Sequence, residues 1–181
     1  MSEVGMSKEK QEMVHEKYLA IRYDFLIGFK SESVVGEYGA LYSGDMTWPV
    51  PSCHSVSSSY GLRTHPVTGE PSTMHYGIDI PAQEGATVVS PADGKVKSYA
   101  YSEGGGWTMV VDHGENERGE RITTRYLHLS AKMAGVGQTV KAGDTIANVG
   151  NTGEYTTGPH LHFEVYVNGV TVDPAEFFEA R

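Results

Sequence analysis

Cysteine is almost missing from the chain. One residue, Cys53, occurs among 181, so no intrachain disulfide can form and the fold must hold through its core or a metal. Cys53 sits in "PVPSCHSV" beside His54. Neighbouring side chains of an extended segment point opposite ways, so His54 is no base for the thiol, and Cys53 reads as structural. Long apolar runs are missing too. The N-terminal "MSEVGMSKEKQEMVHEKY" is charged throughout and fits neither a secretory signal nor a membrane span. Bases are few, 14 against 23 acids, for a formal charge of −9. They form no stripe, which argues against nucleic acid or an anionic membrane as partner. No repeat of fixed period is present. Hydrophobic residues nevertheless make up 39%, with 22 glycines and 8 prolines, as in a turn-rich globular protein rather than a disordered one.

Two regions follow. Residues 1–46 are expected to be a helix and a linker. Ser7 caps a helix over 7–29, on which Val14, Tyr18, Ile21 and Phe25 make one apolar stripe. That stripe calls for a partner surface: the main domain, an upstream domain or a second copy. "SESVVGEYGALYSGD", 31–45, is the linker. Residues 47–181 are expected to be a mainly β domain. Short β-type runs appear at 86–90, 94–102, 107–113, 121–130, 139–150 and 160–170, separated by turn signals such as "PADG", "EGGG", "KAGD" and "NG". Helix is expected only at "DPAEFFEAR". "SPADGKV" with "GQTVKAGDTIANVG" invites comparison with biotinyl and lipoyl carriers, but Lys95 and Lys97 lack the residues that flank a modifiable lysine.

The histidines carry the chemistry. Eight occur, at 15, 54, 65, 75, 113, 128, 160 and 162. In "HYGIDI" read as one strand, His75 and Asp79 share a face, with Gly77 leaving open space between them and Tyr76, Ile78 and Ile80 opposite. In "GPHLHFEV", His160, His162 and Glu164 share one face, and Leu161, Phe163 and Val165 share the core face. If the two strands are neighbours, His75, Asp79 and one histidine of the pair converge. Two imidazoles and a carboxylate form a zinc set with one tetrahedral position open. Same-face neighbours on a strand lie about 7 Å apart, so both histidines of the pair are ill placed to ligate one ion. One binds metal; the other stands beside it where a general base belongs.

In order along the chain, "SSSYGLRTHPVTGEP", "MHYGIDIPAQEGATVVSPADGKV", "VVDHG", "TRYLHLS", "VGQTVKAGDTIANVGNTG", "GPHLHFEVYVNG" and "VDPAEFF" together resemble the lysostaphin-type, or LytM-domain, zinc metalloendopeptidases. The resemblance covers roughly residues 47–179. It implies an antiparallel β-sandwich or hybrid barrel. It also implies one Zn2+ held by His75, Asp79 and His162, with His128 and His160 as catalytic histidines. The implied activity is hydrolysis of peptide cross-links or stem peptides of bacterial peptidoglycan. Every motif position is filled, which favours an active enzyme over a non-catalytic zinc-containing scaffold or wall-binding module. Arg63 either contacts substrate, meets an acid near the cleft or forms a loop salt bridge. Tyr60 and Tyr126 either line the groove or pack. Glu164 either orients a ligand imidazole or is solvated. His65 reads as structural and His113 as a turn residue. Such chemistry acts at the envelope or outside the cell. With no signal peptide read, the chain is expected to be a C-terminal piece of a larger protein, or to be delivered by a phage or mobile-element machine.

Overall fold

A computed structural model of the chain describes residues 46–178. The helix expected over 7–29 and the linker at 31–45 lie outside the described residues. The strands are β1 (Gly61–Arg63), β2 (Thr73–His75), β3 (Ile78–Pro81), β4 (Thr87–Val89), β5 (Gly94–Ser102), β6 (Gly106–Glu115), β7 (Arg121–Leu129), β8 (Ala131–Lys132), β9 (Thr139–Val140), β10 (Thr145–Asn148), β11 (His160–Val167) and β12 (Val170–Val172). All paired strands run antiparallel. Among the described residues the one helical element is a 3-10 turn, Pro174–Phe177, capped by Asp173, whose carboxylate accepts from the Ala175 amide. No helix among them is long and apolar enough to cross a membrane.

The large sheet runs β12-β11-β7-β6-β5-β9. β3 and β12 lie end to end on one edge of β11, and β7 occupies the other. A small sheet, β4-β10-β8, and the β1-β2 pair complete the set. Alternation along β11 turns Leu161, Phe163 and Val165 onto the core face, where they are completely buried; His162 and Glu164 share the opposite face, which is covered as well. They join Val96, Met109, Val111 and Tyr126 of the large sheet and Val88 and Ile146 of the small one in a single core cluster. Each such buried side chain contributes about 1.5–3 kcal/mol. That core fixes the strands whose outer faces carry the polar residues described below.

Two segments differ from the sequence expectation. "TVKAGDTIANVG" is not one strand. Its "KAGD" turn passes the chain from β9, on the large sheet, to β10, on the small one. "HYGIDI" is not one strand either. β2 ends at His75 and pairs with β1, whereas β3 starts at Ile78 and pairs with β11. Gly77 between them does not open a space. A Cβ there would lie 2.3 Å from the Phe163 carbonyl oxygen and 3.0 Å from Glu164 Cγ. The link is pressed onto the β11 backbone, and only glycine allows that approach.

Candidate metal centre

Three donor atoms meet at the junction of β2, β3 and β11. His162 pairs directly with Asp79 in the β3-β11 register, and the β1-β2 pair brings in His75. His75 Nε2 lies 3.1 Å from Asp79 Oδ1 and 3.0 Å from His162 Nδ1, and His162 Nδ1 lies 2.8 Å from Asp79 Oδ1. All three residues are buried.

The outer hydrogen bonds determine what faces the centre of this triangle. His75 Nδ1 donates to the Ser59 carbonyl at 2.7 Å, so its Nε2 carries a lone pair. His162 Nε2 donates to Glu164 Oε1 at 3.1 Å, so its Nδ1 carries one too. Asp79 Oδ1 adds a third acceptor. Three lone pairs turned on one another within hydrogen-bond distance repel unless a cation lies among them. The cluster's appetite for a proton shows the same demand. Burial opposes charging His162, but Asp79 and Glu164 outweigh it and raise its pKa. Burial also opposes charging Asp79, yet the neighbouring imidazoles of His162 and His75 hold its pKa well below the usual range, so a proton taken up by the cluster sits on an imidazole and not on the carboxylate. A tetrahedral ion with bonds of about 2.0–2.1 Å needs donors roughly 3.3 Å apart. The triangle need open only by a few tenths of an ångström, so two imidazoles and one carboxylate oxygen fit zinc.

Glu164 is buried and does more than touch His162. Its Oε2 accepts from Tyr166 at 2.7 Å and from Arg125 at 3.3 Å. Arg125 stands opposite Glu164 in the β7-β11 register, so an internal cation balances an internal anion. Nothing in the sequence marks Arg125 until that register is known. Arg63 donates to Asp79 Oδ2 at 3.2 Å, so the acid it meets is the one in the triangle, and to Ser58 Oγ at 2.7 Å.

Two further histidines stand beside the triangle. His160 Nδ1 donates to the Gly158 carbonyl at 2.8 Å, and its Nε2 lies 3.7 Å from Asp79 Oδ1. The His128 ring lies 4.7 Å from that of His160, centroid to centroid, and its Nδ1 donates to the Thr152 carbonyl at 2.8 Å. Regular alternation would put His128 on the core face with Tyr126. A bulge on β7, opposite Trp107–Met109, and a left-handed φ of 62° at His128 turn it out instead. The Thr152 carbonyl reaches it because loop 150–153 lies on the β5-β6 turn, where a Cβ at Gly106 would come within 2.3 Å of Thr152. Burial lowers the His128 pKa to about 4, so the ring is neutral at pH 7 with a lone pair on Nε2.

Other sequence candidates lie elsewhere. Tyr126 does not line a groove. It is fully buried in the core, its hydroxyl 2.8 Å from Thr124 Oγ1, because β7 turns that face toward Phe163. Tyr60 is half-buried against the core, and its hydroxyl donates to the Thr171 carbonyl at 3.0 Å. His113 is not in a turn. It lies buried inside β6, bonded to the Asp93 carbonyl and to Thr124 Oγ1, and burial lowers its pKa. His65 accepts amides of its own loop through Nδ1. Cys53 Sγ lies 3.2 Å from Ser55 Oγ.

The family model of peptidase family M23 matches residues 73–174. The chain is 38% identical over 120 residues to the peptidoglycan DD-endopeptidase ShyC of Vibrio cholerae, covering 66% of this chain and 26% of that protein. A zinc-containing peptidase from Vibrio cholerae superposes with a TM-score of 0.64 at 37% identity, over 77% of this chain and 44% of that one. The catalytic domain of lysostaphin from Staphylococcus simulans gives 0.59 at 32% identity, over 70% and 93%. The chain spans about a quarter of the length of the curated relatives it matches.

Proposed function

Because the chain belongs to peptidase family M23, we propose that it is a zinc-dependent endopeptidase that hydrolyses peptide cross-links or stem peptides of bacterial peptidoglycan. The observation that carries this reading is the triangle of lone pairs from His75, Asp79 and His162, 2.8–3.1 Å apart. Two names support the substrate class: the relative called a peptidoglycan DD-endopeptidase and the structural neighbour called lysostaphin. The site of action is the cell envelope.

His75, Asp79 and His162 hold the ion. When bound, zinc acts as a Lewis acid, polarising the scissile carbonyl and lowering the pKa of water. His128 and His160 manage the protons. Each has Nδ1–H tied to a backbone carbonyl, so each offers Nε2 as an acceptor. One takes a proton from the attacking water. The imidazolium so formed then stabilises the oxyanion or protonates the leaving amine. Burial makes His128⁺ a strong acid, suited to giving the proton back.

The test is digestion of purified sacculi. New amino termini should appear with zinc-loaded protein, vanish on chelation and return with zinc. Cleavage that survives thorough metal removal would refute the mechanism. Stoichiometric zinc with no cleavage would favour a scaffold that keeps the ion.

A further inference from the structure

Asp79 divides its two oxygens between two sides. Oδ1 faces His75 and His162, and Oδ2 faces Arg63 at 3.2 Å. A carboxylate can give a metal one oxygen or both. Giving both requires Oδ2 to swing inward and leave the guanidinium. Arg63 does not reach Asp79 as a loose surface side chain. Its other contact, Ser58 Oγ at 2.7 Å, anchors it to a residue whose backbone carbonyl accepts from the Asp79 amide at 2.9 Å. The Ser57 amide donates to the Asp79 carbonyl at 2.9 Å, and the Ser59 carbonyl fixes His75. β1 then returns beside β2, with Gly61 opposite His75. One short run, Ser57 to Arg63, therefore holds both donors that flank Gly77. The Arg63 and Asp79 side chains are 27% and 11% exposed, so water screens this pair less than an open surface pair.

We propose that Arg63 is a positioning residue for the metal carboxylate: by occupying Oδ2 it reserves Oδ1 as a one-oxygen ligand. The proposal rests on the metal-centre reading above and adds to it the outer partner that sets how Asp79 binds. Outer partners of this kind change metal affinity by about 10–100-fold when removed. Arg63 also offsets the charge of its carboxylate, which leaves a bound ion more electron-poor.

The experiment compares the full chain with its R63Q and R63K variants. Arg118→Gln serves as control, because Arg118 is exposed in the turn between β6 and β7. Zinc affinity is measured by competition with a chromophoric chelator. The visible band of the cobalt-loaded protein reports coordination number, since four-coordinate cobalt absorbs more strongly than five-coordinate. R63Q should lose about 10–100-fold in zinc affinity and show a weaker, shifted cobalt band as the second oxygen enters. R63K, which keeps a cation at Oδ2, should recover part of both, and the control should match the parent. Overturning results are an R63Q affinity within twofold of the parent, or a lost affinity with an unchanged cobalt band, which marks a general loosening of the fold. A parent protein that binds neither metal defeats the metal centre itself, and that outcome is separate from the other two.

Discussion

Alanine at position 77 is expected to damage the metal centre without touching a donor. The new Cβ would sit 2.3 Å from Phe163 O and 2.9 Å from Phe163 C, both backbone atoms that no rotamer change can move aside. Ordinary contact begins at 3.4 Å, so the link between β2 and β3 must withdraw by about 1 Å. β11 is paired on both edges and will not yield first. The displacement therefore falls on 76–78, between His75 and Asp79. Overpacking of this kind costs about 1–3 kcal/mol of stability. A shift near 1 Å in a preorganised constellation costs up to about 10²-fold in function. Chemical denaturation of the zinc-free protein and a chelator competition measure the two effects separately. Stability within about 0.5 kcal/mol of the parent, with unchanged zinc affinity, would refute the reasoning and show that the link has slack.

Other changes probe the remaining assignments. His162→Ala should abolish stoichiometric zinc binding, whereas His160→Ala should retain zinc and lose cleavage by about 10²–10⁴-fold; the opposite pattern of zinc retention would reverse the two roles. His128 binds fewer protons folded than unfolded between its ordinary pKa of 6.5 and about 4. Its contribution to the stability of the zinc-free protein is thus complete above pH 6.5. It falls as pH descends toward 4, by up to about 3 kcal/mol. Urea titrations at pH 7 and pH 4.5 should show a smaller drop in His128→Gln than in the parent, and equal drops would contradict the buried neutral ring. Tyr126→Phe should cost about 1 kcal/mol of stability and leave zinc affinity and cleavage unchanged. A fall in cleavage with stability intact would return Tyr126 to the groove.

Alternation in "GPHLHFEV" was enough to place Leu161, Phe163 and Val165 in the core and the two imidazoles on the other face, because a strand's side-chain period is local. β5 was equally readable, with its bounds at Gly94 and Ser102. What the sequence hid was every feature that depends on a second strand's position. Gly77 reads as open space in the sequence because the Phe163 carbonyl that crowds it is 86 residues away. The alternation rule alone puts His128 beside Tyr126, and only the bulge on β7 separates them. Arg125 became visible as the partner of Glu164 once β7 and β11 were in register. The family resemblance points to His128 as a site residue, whereas strand alternation alone points it into the core. Neither reading contains the left-handed φ that accompanies the turn of this ring toward His160.

The anchors of the site imidazoles differ in how mutation can reach them. His75, His128 and His160 each give Nδ1–H to a peptide carbonyl, those of Ser59, Thr152 and Gly158. A codon change at Ser59 or Gly158 leaves that carbonyl acceptor in the chain, whereas the Thr152 hydroxyl also bonds the Leu129 carbonyl and the Trp107 amide that seat its loop. His162 alone leans on a side chain, Glu164. Ser59 is exposed and a Cβ at Gly158 would meet nothing, so these two positions can vary, whereas a Cβ at Gly150 or Gly153 would run into neighbouring backbone. Of the four rings, His162 is the one whose outward anchor a single substitution, at Glu164, removes outright.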